Sequence, residues 1–174
     1  MVKHELASSA YNERRAQCEA GVKHLAKFVP KVVALRDVSI EQLEEFGRDL
    51  PEVVYRRCRH VITENARVMS AARALEQGDL REFGRLMAES HQSLRNDYEV
   101  SSEELDLMVE LARKVEGVYG ARMTGGGFGG CTVNLVGDEH VEQFQRSVAP
   151  EYERVTGLTP EIYICKASNG AEEV

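Results

Sequence analysis

The sequence has no cysteine pair at C-x-x-C spacing, no histidines at metal-ligand spacing, no basic excess and no long apolar run, and each absence removes a class of function. Cys18, Cys58, Cys131 and Cys165 lie far apart, which reads as free thiols packed as small apolar side chains in a cytoplasmic protein rather than as a disulfide frame. No two of His4, His24, His60, His91 and His140 fall at ligand spacing with acidic or thiol neighbours, so a structural zinc is not expected. The net charge of −7 is spread through mixed Glu/Lys/Arg stretches, whereas a nucleic-acid partner calls for a basic face. No leading apolar stretch reads as a signal peptide or a membrane span, and there is no internal repeat. What is present, 174 residues with 43% hydrophobic side chains, describes about one globular domain with a real core.

Periodicity supplies the elements. The opening Val2-Lys3-His4-Glu5-Leu6 alternates as a strand would, in mid-element, with no partner nearby. From Ser8 to Phe28, Tyr11, Cys18, Val22, Leu25 and Val29 draw an apolar stripe on a helix that Pro30 closes. A short helix is predicted over Ile40 to Phe46. A long one begins at Pro51, runs through Val54, Cys58, Val61, Ile62, Met69, Ala72 and Leu75, and ends at Gly78. Asp79 with Glu82 reads as a capping box for a helix carrying Leu80, Phe83, Met87, Leu94 and Tyr98. Ser101 with Glu104 reads as another, opening a helix through Leu105 and Val115 that stops by Gly117 and Gly120. The period then changes to two at Cys131, Val133 and Leu135 and again at Ile162 and Ile164, with a helix marked by Val141, Phe144 and Val148 between them. Pro150 should kink or restart that helix. The order, a strand, a run of helices, then strand, glycine loop, strand, helix and strand, predicts an α+β fold with several helices packed on a small antiparallel sheet.

The stretch Thr124-Gly125-Gly126-Gly127-Phe128-Gly129-Gly130-Cys131 carries most of the chemistry. Five glycines so close together are costly unless the backbone needs unusual dihedrals or must touch something closely. Consecutive N–H groups in such a run can converge on an anion. No Lys-Ser or Lys-Thr follows, so this is not a Walker loop, and the strand-like sequence after it fits a dinucleotide fold poorly. A tight turn that only lets strand and helix pack closely remains the alternative.

Met123 to Val133 resembles the third conserved motif of the GHMP kinases in its galactokinase form. Two further stretches, Ser9-Ala10-Tyr11-Asn12-Glu13-Arg14-Arg15 and Ser90-His91-Gln92-Ser93-Leu94-Arg95-Asn96-Asp97-Tyr98-Glu99-Val100-Ser101, are similar to the same family, so the resemblance runs from Val2 to about Ser168. It implies a GHMP kinase C-terminal domain over 1–168 with a loose tail at 169–174. It also implies a kinase that passes the γ-phosphate of ATP, with Mg²⁺, to the anomeric hydroxyl of galactose in a cleft between two domains. Tyr11 matches the tyrosine whose hydroxyl meets the sugar, and Gly125, Gly126, Gly127, Gly129 and Gly130 would face the nucleotide phosphates. The family's N-terminal sugar signature, its Gly-Leu-Ser-Ser-Ser phosphate loop, and its catalytic aspartate with a partner arginine have no counterpart here. No catalytic residue or metal ligand is therefore expected in this chain. Its partner would be the N-terminal sugar- and ATP-binding domain, the chain alone should be inactive, and the face awaiting that domain should be apolar and exposed. A sugar- and nucleotide-sensing module related to galactokinase is the alternative, and a purely structural helical protein a third. His91 reads as a hydrogen-bonded helix residue with no carboxylate at helical spacing to orient it, and Arg56, Arg57 and Arg59 read as a solvated face.

Overall fold

The computed structural model of the chain describes residues 7–166; the alternating segment at 2–6 and the tail lie outside the described residues. Helix α1, Ala7–Leu25, ends a turn earlier than its apolar stripe suggests. Lys27 and Phe28 already donate to the carbonyls three residues back, the tighter turn that leads into Pro30. Helix α2, Ile40–Phe46, lies where the sequence places it, held by reciprocal bonds between Ser39 and Gln42. Helix α3, Glu52–Glu76, buries Cys58 and Ile62 against Leu25, Leu35, Val38 and Leu43. The later part of its predicted stripe is not core: Met69, Ala72 and Leu75 are exposed, because the packing on α1 and residues 35–43 gives out after Ile62.

Helix α4, Leu80–Ser93, starts with the Asp79 carboxylate accepting the Glu82 N–H at 2.9 Å. It does not run on to Tyr98 as a uniform helix. Leu94–Tyr98 widens into a π turn that ends at Glu99 with a left-handed φ of 53°. Helix α5, Glu103–Ala112, is capped by Ser102, which accepts the Leu105 N–H at 3.3 Å, and not by Ser101. The Ser101 hydroxyl donates instead to Asp106 at 2.5 Å.

Strands β1, Val118–Thr124, and β2, Cys131–Val136, pair antiparallel, with Thr124 opposite Cys131 and Arg122 opposite Val133. Helix α4 lies on β1 backbone to backbone, since a Cβ on Gly84 would sit 1.8 Å from the Tyr119 carbonyl. Helix α6, Val141–Thr156, closes the other side, where Phe144, Val148 and Tyr152 pack with Val109, Leu111, Ala112 and Ala121. It continues through Pro150 without a break. Pro150 and Arg146, whose carbonyl loses its donor, are both exposed, so water can serve that carbonyl. The strand expected around Ile162 is not formed: Ile162 leans on the α5–α6 core, Ile164 is exposed, and neither joins a ladder among the described residues. The architecture is the expected α+β arrangement of helices on a small antiparallel sheet. No helix among the described residues is long and apolar enough to cross a membrane.

Candidate functional site

Residues 125–130 join the ends of β1 and β2, and their backbone accounts for most of the glycines. Left-handed φ angles occur at Gly125 (85°), Gly127 (83°), Gly129 (113°) and Gly130 (111°), where a Cβ is strained. A Cβ at Gly127 would also lie 2.3 Å from the Val100 carbonyl oxygen. Gly126 is different: its φ is outside the left-handed range, and a Cβ there would meet nothing within 4 Å. The fold itself gives no reason for glycine at 126.

The loop is anchored on its inner side. Phe128 adopts a left-handed φ of 59°, and its N–H donates to the Val100 carbonyl at 2.7 Å. Its ring packs with Leu94, Val100, Leu105 and Met123. The segment it leans on, Asp97 to Val100, is itself clamped by the arginines of α3; Arg57 is buried and Arg56 half-buried, so only Arg59 keeps the solvated position expected of all three. Arg57 is only 2% exposed and donates to the Asp97 carbonyl and to a Glu99 carboxylate oxygen, both at 2.5 Å, and to Gln17 at 3.0 Å. Arg56 reaches the other Glu99 oxygen at 2.5 Å and the Asn96 carbonyl at 2.8 Å, and Arg59 pairs with Asp97. The Arg57 guanidinium, with that of Arg56, holds the Glu99 carboxyl below its usual range.

A second layer fixes β1 just before the loop. The Met123 N–H donates to His91 Nδ1 at 3.3 Å, which leaves Nε2 to carry the ring proton toward Asp106, 3.3 Å away. The orienting carboxylate that the sequence around His91 lacks is thus supplied by α5. Arg95 and Ser101 bind the same Asp106. Burial keeps His91 below the ordinary imidazole value, so it is a neutral strut. His60 is similar: Ser93 gives its only proton to Asp97 at 3.0 Å and therefore accepts from His60 Nδ1 at 2.9 Å.

Tyr11 lies in the first half of α1 and is 58% exposed, so it is no core residue of the apolar stripe. Burial, with the neighbouring Cys18 thiol and to a lesser degree Tyr11, pushes the pKa of Tyr98 up to about 12. One helical turn on, Arg14 reaches the segment that carries the glycine loop. The structure thus brings Tyr11 and the five loop glycines to two elements joined by residues 97–100. Among the described residues, no group of three or more His, Cys, Asp or Glu side chains could hold a metal ion. The sequence reading missed Asp97, Glu99 and Asp106 as supports. The α3 arginines that pair with Asp97 and Glu99 stand 38 to 43 residues away and His91 stands 15 residues from Asp106, so no local spacing announces these pairs.

Residues 71–154 match the model of the GHMP kinases C terminal family. The chain is 50% identical over 169 residues to a galactokinase of Roseiflexus sp. (strain RS-1), covering 97% of this chain and 43% of that protein. Among solved structures, the galactokinase of Lactococcus lactis complexed with galactose superposes with a TM-score of 0.85 at 38% identity, covering 91% of this chain and 41% of that one. The chain spans about two fifths of the length of these relatives. By sequence and by fold alike, it belongs with the C-terminal portion of the galactokinases, among the GHMP kinases.

Proposed function

We propose that this chain is the part of a galactokinase that completes the cleft in which the γ-phosphoryl group of ATP passes to the anomeric hydroxyl of galactose, the entry step of galactose catabolism. The observation that carries the reading is the open glycine at 126 within an otherwise left-handed loop, in a chain half identical to a galactokinase. Gly125, Gly126, Gly127, Gly129 and Gly130 would offer successive N–H groups to the nucleotide phosphates, where fixed dipoles stabilise charge spread over the transferring group. Tyr11 would hydrogen-bond the sugar through an exposed phenol on a rigid ring. ATP supplies the phosphoryl group. Mg²⁺ would accompany it, held mainly by the remainder of the enzyme.

Residues 1–168 would form the C-terminal domain and 169–174 its tail, with the sugar- and ATP-binding domain as partner in a cytoplasmic enzyme. Transfer depends on positioning and charge stabilisation by both parts, so the chain alone should give almost no turnover. A coupled assay for ADP release with galactose and Mg·ATP tests this, run on the chain alone and with the other portion of a galactokinase added in trans. Activity only on complementation is expected. Silence in both, with the two portions folded and associated, would overturn the kinase reading in favour of a sensing module.

A further inference from the structure

Arg14 is held in a way that an exposed helical arginine is not. Its side chain is 11% exposed, its Nε donates to the Tyr98 carbonyl at 2.7 Å, and its NH2 donates to the Glu99 carbonyl at 3.0 Å. The guanidinium lies over the Phe128 ring, 5.7 Å from its centroid, and the Glu13 carboxylate is 3.5 Å from NH1. Two carbonyls, an aromatic face and a carboxylate use most of what a planar guanidinium offers, and an ammonium could reproduce only part of it. The carbonyls belong to the left-handed corner that presents the Val100 oxygen to Phe128, and the ring is the one bulky side chain of the glycine loop. Tyr11 stands three residues before Arg14, a spacing that places both on one side of α1.

We propose that Arg14 is a positioning residue that couples α1, with Tyr11 on it, to the glycine loop, and so fixes the sugar side of the cleft against the phosphate side. This rests on the kinase reading for its consequence, while the coupling itself is a property of the chain. Phosphoryl transfer needs the acceptor oxygen and the phosphorus in line, and an offset of about 1 Å can cost about a hundredfold in rate without weakening either ligand's binding much. Loss of Arg14 therefore acts on kcat more than on KM.

The test uses Arg14→Lys, which keeps charge and a long stem, in two measurements. In the chain itself, amide hydrogen exchange over residues 125–131 should quicken at least about tenfold while the denaturant midpoint stays near that of the unsubstituted chain. In the complemented enzyme, kcat should fall about a hundredfold with the KM values for galactose and ATP within about twofold. Phe128→Leu should reproduce much of this, and the double variant should be no worse than the more impaired single one. Unchanged loop exchange would overturn the proposal, as would losses that merely track global stability or appear only in KM. If the unsubstituted complemented enzyme were silent, the kinase reading would fail while the exchange result still decided the coupling.

Discussion

Substituting alanine at Gly126 and at Gly127, adjacent positions in one loop, should have opposite effects. At Gly127 the new Cβ meets a left-handed φ of 83°, which costs about 1–2 kcal/mol. It also lies 2.3 Å from the Val100 oxygen, so that carbonyl must move and its 2.7 Å bond from the Phe128 N–H weakens, about 1 kcal/mol more. The sum, about 2–3 kcal/mol, corresponds to a melting temperature lower by about 4–12 °C for a chain of this size. At Gly126 no neighbour lies within 4 Å and no left-handed angle is required. Alanine there restricts the unfolded chain and should leave stability unchanged or raise it by about 0.4–1 kcal/mol. In the complemented enzyme, however, the same methyl group would stand where the nucleotide phosphates approach, and turnover should drop by at least about tenfold. Thermal unfolding followed by circular dichroism, with ADP release on the same preparations, reads both effects. Full activity in Gly126→Ala would refute the reasoning and leave the loop a mere turn; so would destabilisation equal to that of Gly127→Ala.

Arg57→Met should destabilise the chain by about 3 kcal/mol, since it leaves the Asp97 carbonyl and part of Glu99 without their buried donor; denaturant melts check this, and a loss under about 1 kcal/mol would contradict the clamp. His60 and His91 are both held below the usual imidazole value by burial, so the unfolded chain binds more protons once the pH is below about 6.5. The stability they contribute is complete above that value and is lost as the pH falls through their depressed folded values. Urea midpoints should decline between about pH 7 and about pH 5, and a His60→Gln variant should show a shallower decline. Among the thiols, Cys131 and Cys165 are exposed and should react quickly with a disulfide reagent. Cys58, buried and pushed up to about 12, should stay inert until the chain unfolds; fast labelling of Cys58 in the folded chain would be inconsistent with the α1–α3 core.

What could be read in the sequence and what could not divides along a physical line. Features set by neighbours in the chain were legible: the α2 boundaries, the Asp79 cap, a strand from Cys131 and the glycine turn before it all appear where their residue types suggest, although the strand turns Cys131 and Val133 outward and half-buries Thr132 and Asn134. Features set by tertiary placement were not. Arg56, Arg57 and Arg59 look like a solvated run until Asp97 and Glu99 are brought beside them by the π turn, and His91 finds its carboxylate on another helix. Pro150 breaks no helix because its position is exposed, while Met69 and Leu75 continue an apolar period past the point where anything covers them. At the site itself, the sequence singled out Tyr11 and the glycines but could not separate Gly126, which the backbone leaves unexplained, from Gly127, which it requires.

The central claim is that this chain supplies a working part of a galactose-phosphorylating site. Phosphorus NMR on galactose and Mg·ATP, incubated with the remaining portion of a galactokinase in the presence and absence of this chain, tests it most directly. A signal from phosphate on the anomeric oxygen of galactose is expected, together with those of ADP, only when both portions are present, and it should grow at least about tenfold more slowly with Gly126→Ala. No phosphorylated sugar from a mixture in which the two folded portions co-elute would contradict it.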